Sequence, residues 1–193
     1  MAALNLTLRG FEVIDKAKEA LKLACPSTVL CDDIITLATR DSVALAERPR
    51  YPVATGRRDG LLANVNGTEI LPGPNSRVFE ALGPFIQKGL SLEDMVTLLG
   101  AGFAHCNFFR NRLPNDPTMD KALAAFLKGV LFIDQQLALD PASKPFVSLF
   151  AANSTTFQQR FANAVIKMGR IGVLVNEDGE IRKNCRVFNA GGS

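Results

Sequence analysis

The chain has one histidine, His105, with a cysteine, Cys106, beside it, inside the stretch from Ser91 to Arg112, SLEDMVTLLGAGFAHCNFFRNR. Apolar residues at Met95, Val96, Leu98, Leu99, Phe103, Phe108 and Phe109 give this stretch the pattern of a mostly buried helix. Imidazole ligates metals and haem iron and exchanges protons near neutral pH, so a lone histidine on such a helix is a candidate ligand. The competing reading is a core or pocket-edge histidine satisfied by a hydrogen bond. Ser91-x-x-Asp94 opens the stretch with the spacing that caps a helix N-terminus.

Thiols are the second kind of reactive group. Cysteines stand at 25, 31, 106 and 185. The interval between Cys25 and Cys31 is not a zinc-site spacing, and one histidine does not complete the usual four-ligand set. A bridge between distant cysteines fits an oxidising compartment and four reduced core thiols fit a cytosolic one; spacing alone does not choose the pairs. Three glycosylation sequons, Asn5-Leu6-Thr7, Asn66-Gly67-Thr68 and Asn153-Ser154-Thr155, lean towards a secretory origin. Met1-Ala2-Ala3 opens no charged and apolar leader, so no signal peptide is expected in this chain.

Around these residues the pattern predicts a mainly α chain. Phe11 to Ala24 and Cys31 to Ala46 carry helical apolar spacing, the second with Asp32 and Asp33 in its first turn. Prolines and glycines make Glu47 to Pro74 a long loop. Asn75 or Ser76 is expected to cap a helix that runs to Lys88 despite Pro84 and closes at Gly89. Pro114 to Pro117 reads as a turn, Asp120 to Gly129 as a short helix, and Val130 to Leu139 as an apolar stretch with Asp134 embedded. Pro145 to Phe150 and Thr155 to Met168 read as two further helices. Ile171 to Val175 and Glu180 to Arg182 flank Asn176-Glu177-Asp178-Gly179, a small β-hairpin signal.

The net charge of +3 is spread over a chain with 22 basic and 19 acidic residues, and no basic run alternates with aromatics, which argues against a nucleic-acid partner. No apolar run is long enough for a membrane helix.

Several segments together resemble the plant class III secretory haem peroxidases. They are Leu8-Arg9-Gly10-Phe11-Glu12-Val13-Ile14-Asp15, Ala24-Cys25-Pro26 with Cys31-Asp32-Asp33-Ile34, and Ala38-Thr39-Arg40-Asp41-Ser42-Val43. Next come Gly56-Arg57-Arg58-Asp59-Gly60, Leu71-Pro72-Gly73-Pro74 and Asp94-Met95-Val96-Thr97-Leu98-Leu99-Gly100-Ala101. Gly169-Arg170-Ile171-Gly172-Val173-Leu174 and Ile181-Arg182-Lys183-Asn184-Cys185-Arg186-Val187 complete the set, in family order. The resemblance implies one partial haem-peroxidase domain over residues 1–193, secreted or vacuolar. The implied reaction is haem-dependent oxidation of small phenolic donors by hydrogen peroxide.

The departures from the family pattern bear on chemistry. The family domain begins with a segment carrying Arg-x-x-Phe-His-Asp-Cys, and this chain starts beyond it, so the distal histidine and arginine are expected to be missing. The family's proximal run is Gly-Ala-His-Ser/Thr-x-Gly-x-Ala-x-Cys, whereas here it reads Gly100-Ala101-Gly102-Phe103-Ala104-His105-Cys106. His105 then matches a haem-edge position near a propionate. On a continuing helix it lies three residues beyond Gly102, about 4.5 Å further along the axis, so ligation of iron by His105 requires haem or helix to move. Phe108 is placed at the same pocket edge. After Lys128 the family's next segment is absent, and Asp134 matches the carboxylate that orients the proximal imidazole. By the same resemblance Pro72 belongs to the aromatic-donor site and Cys31 pairs with Cys185. The partners of Cys25 and Cys106 lie in absent segments, and both calcium sites are expected to be lost. The implied outcome is a peroxidase with weak or absent activity, or a non-catalytic scaffold, with self-association through exposed apolar surface.

Overall fold

The computed structural model describes residues 9–45, 48–62, 70–73, 75–101 and 132–189. Among these the chain forms seven helices and no extended sheet. We label them α1 (Phe11–Ala24), α2 (Cys31–Leu45), α3 (Val78–Gln87), α4 (Leu92–Ala101), α5 (Phe132–Leu139), α6 (Lys144–Ala152) and α7 (Ser154–Met168). The chain divides into two compact units, Met1–Glu69 with Gly169–Ser193, and Ile70–Met168. The expected turn at 114–117 and helix at 120–129 lie outside the described residues.

In the first unit the N-terminus of α2 has no capping side chain of its own. A distant carboxylate answers it instead. Asp59, only 4% exposed, accepts hydrogen bonds from the N–H groups of Cys31 (3.1 Å), Asp32 (2.8 Å) and Arg182 (2.9 Å). Carboxylate at a helix start satisfies free N–H groups and complements the helix dipole. The exchange is reciprocal: buried Asp33 of α2 accepts from the N–H of Gly56 at 2.6 Å and sits 3.4 Å from the Arg57 guanidinium. Gly56 has φ +96°, a left-handed backbone that a side chain would strain. Arg57 also donates to the Gly169 carbonyl. The Cys31–Cys185 disulfide joins the same places, with Cα atoms 5.4 Å apart.

The expected β-hairpin does not form. Its two arms pair with the segment at 58–59 rather than with each other: Arg58 N–H donates to Leu174 (2.8 Å), while Asp59 and Glu180 exchange N–H bonds at 3.0 and 2.9 Å. The turn is present, with Asp178 N–H on the Val175 carbonyl at 3.1 Å. The intruding strand passes so close to Gly179 that a Cβ there would lie 2.6 Å from the Asp59 carbonyl oxygen. The alternating pattern signalled extended backbone, but not the partner that would take its hydrogen bonds.

The second unit packs Val78 and Ala81 of α3, Met95 and Val96 of α4, Ile133, Leu137 and Ala138 of α5, Val147 and Phe150 of α6, and Phe157 of α7 into one core. The Phe150 and Phe157 rings meet edge to face, 5.5 Å between centroids. The N-cap of α3 is Arg77, not Asn75 or Ser76; Glu80 reaches back to accept from the Arg77 N–H at 2.7 Å. Guanidinium has no acceptor, so only this half of a capping box is made. At the other end Gly89, at φ +77°, donates to Ile86 and Leu90 N–H returns to Phe85, both at 2.9 Å, which closes α3 where the sequence placed its stop.

Replacing Asp59 with Ala strands three N–H groups that one carboxylate now serves. The Asp59→Ala variant is expected to lose about 3 kcal/mol or more of unfolding free energy, read by denaturant titration with the disulfide intact. Asp59→Asn, which keeps one acceptor oxygen, should fall between. A variant equal to the parent would show that water replaces the carboxylate at no cost.

Candidate functional site

The helix that leads towards His105 is α4, and its placement is over-determined. Ser91 and Asp94 form the expected capping box: Ser91 N–H donates to Asp94 Oδ2 at 2.9 Å and Asp94 N–H to Ser91 Oγ at 3.1 Å. The same carboxylate takes both its oxygens to the Lys167 ammonium of α7, at 3.0 and 2.9 Å. Next to it Glu93 pairs with Arg160 at 3.2 Å. Glu93, Asp94, Arg160, Asn163, Ile166 and Lys167 line an open cleft of about 310 Å³ between α4 and α7. Its charges neutralise one another in place, so the cleft works as a clamp on the start of α4.

Burial alone pushes the Asp94 carboxyl up. Hydrogen bonds from the Ser91 N–H, the Lys167 ammonium and the Ser91 hydroxyl, with the Lys167 charge, outweigh it and hold the group below the usual aspartate range.

The clamp was not read from the sequence. Its signal was available only on one side, as the spacing of Arg160, Asn163 and Lys167 along one face of α7.

Asp134 lies in the first turn of α5, 8% exposed and beside the core residue Ile133. The position suits a carboxylate, because the free N–H groups and dipole of a helix start favour negative charge. Pro72 is half-buried ahead of α3. Cys31 and Cys185 belong to the other compact unit, and Cys25, at the C-terminal cap of α1, is an exposed free thiol. His105, Cys106 and Phe108 lie outside the described residues.

A haem iron needs an axial donor and a second group that fixes it. Among the described residues Asp134 supplies a buried carboxylate, and no group of three or more His, Cys, Asp or Glu is arranged to hold a metal ion; the one imidazole of the sequence, His105, lies outside them.

Helices clamped in this order, with the Gly56–Gly60 loop locked to α2, carry the segments that the family shares. The peroxidase family model matches residues 1–130, and the chain belongs to that family, in its plant class III branch. Among its relatives, Peroxidase 44 of Arabidopsis thaliana is 45% identical over 221 residues, covering 96% of this chain and 71% of its own length. Peroxidase 57 of the same plant is 41% identical, with 96% and 72% covered, and Peroxidase 5 of Vitis vinifera 37% identical, with 96% and 71% covered. The match to Peroxidase 44 is longer than the 193 residues of this chain, so it opens internal gaps on this chain's side.

The lowered Asp94 value fixes the sign of a pH effect. A carboxyl whose value falls on folding stabilises the fold fully above the ordinary aspartate range, and that contribution fades as pH drops through the lowered value. Lys167→Met is expected to cost about 1 kcal/mol at neutral pH, a small figure because the ammonium is half exposed and screened. Thermal melts of parent and variant should converge below about pH 4. A gap that widens in acid would contradict this account.

Proposed function

We propose that this chain is a peroxidase framework whose own residues support weak or no peroxide turnover. The family reaction is haem-dependent oxidation of phenolic donors by hydrogen peroxide. It requires an imidazole on iron, oriented by a carboxylate, and acid–base help at the peroxide. The observation that carries the reading is the run Gly100-Ala101-Gly102-Phe103-Ala104-His105-Cys106: the one imidazole of these residues sits immediately before Cys106, not after Ala101. The gapped matches to relatives support a loss inside the chain, and so does a family-model match that stops at residue 130, just ahead of α5.

In this reading His105 and Phe108 lie at a haem edge, Pro72 marks the former donor site, and Asp134 is a carboxylate without its former task. The helical units then serve as a non-catalytic scaffold. The Cys31–Cys185 disulfide supports an oxidising, secretory or vacuolar destination. No helix among the described residues is long and apolar enough to cross a membrane. Exposed Phe79 (68%) and Ile86 (61%) on α3 support self-association, expected as a concentration-dependent mass in sedimentation; a constant monomer mass would remove that part.

Hemin titration tests the main reading. The expected result is no Soret band beyond that of free hemin, phenol oxidation at the free-hemin rate, and no change in His105→Ala. A Soret band of imidazole-ligated haem that disappears in His105→Ala, with phenol turnover, would overturn it.

A further inference from the structure

We propose that α3 docks against α3 of a second copy of this chain, antiparallel and about a two-fold axis. The inference rests on the self-association reading above and gives it a surface and a register. Phe79, Gly83 and Ile86 recur at i, i+4 and i+7 of α3, which puts them on one face, and all three are exposed. Val78, Ala81, Leu82 and Phe85 pack into the core of their own unit, so covering the outer face takes no contact from it.

Gly83 is the residue that this unit's own packing does not explain. Glycine inside a helix costs stability relative to alanine. Its backbone is not left-handed, and a Cβ on it would meet nothing within 4 Å among the described residues. It opens a gap between two large apolar side chains, and Gly89 leaves a second open place past the helix end, again with nothing within 4 Å of a Cβ. An antiparallel pair fills both. Seating Ile86 of each copy over Gly83 of the other brings Phe79 to Gly89 at the same time, knobs entering gaps as packed helices require.

Charge selects the same register. Glu80 of one copy then stands one residue along the axis from Lys88 of the other, about 1.5 Å, while Arg77 falls about 6 Å beyond that lysine. Both Glu80 and Lys88 are exposed, and neither makes an ion pair within its own chain among the described residues. Glu80 gives Oε2 to the Arg77 N–H, which leaves Oε1 for the second copy. A parallel pair would set Glu80 against Glu80 and Lys88 against Lys88, and would leave the gap at Gly83 facing its own copy. The complementary ends of α3 therefore suit a second copy, running the opposite way.

A charge exchange tests this on the full chain, with free thiols alkylated and the Cys31–Cys185 disulfide intact. Sedimentation of the parent should show a dimer at high concentration. Glu80→Lys alone and Lys88→Glu alone should each weaken it about tenfold, because like charges then meet twice in the pair. An equimolar mixture of the two, one of them tagged, should restore a dimer holding one copy of each. Gly83→Leu should stay monomeric at every concentration while melting no lower than the dilute parent. If the parent dimerises but Gly83→Leu dimerises equally, or the mixture restores nothing, self-association stands and the α3 pairing is overturned. A parent that stays monomeric overturns both, and leaves the face of α3 to a different protein.

Discussion

Three backbone N–H groups from two distant parts of the chain converge on the carboxylate of Asp59, and the first unit depends on that convergence. Two come from the start of α2 and one from Arg182, more than a hundred residues away in sequence. A buried carboxylate would be costly alone; here its lone pairs are used by groups that would otherwise be stranded. Asp33 makes the converse arrangement, from the helix back to the loop. The loop and helix thus hold each other's polar groups, and the disulfide covalently secures the same junction. Two buried side-chain atoms in this unit, the Tyr51 hydroxyl and Arg182 Nε, have no hydrogen bond among the described residues.

The second unit relies on a different device. Its core is apolar and continuous, but the direction of α4 is set by charge, with Asp94 shared between its own capping box and Lys167 of α7.

The helices were largely legible because each is marked locally. Ser91-x-x-Asp94, Gly89 and the spacing in Phe11 to Ala24 act within a few residues, and α1, α4 and the end of α3 follow them. What depends on distant partners was not legible. Nothing around Ile171 to Arg182 says that residues 58 and 59 will intervene between the arms, and nothing near Ser91 says that Lys167 will share its cap. The N-cap of α3 was misplaced for a related reason: Asn75 and Ser76 have the right chemistry, but Glu80 reaching back to Arg77 decides the start. The family resemblance supplied the Cys31–Cys185 pair that spacing left open. For the candidate site, Asp134 was named by resemblance alone, and the structure adds only its burial at a helix start.

The first unit is discontinuous in sequence: residues 70–168 are inserted between its two parts. Asp59 cannot complete its set of donors, nor Cys31 its bond, until residues 182 and 185 have left the ribosome. The inserted helical unit is contiguous and has no such wait. During synthesis α1 and α2 are therefore made first yet secured last, and until then the Cys31 thiol stays open to other partners, including the nearby exposed Cys25.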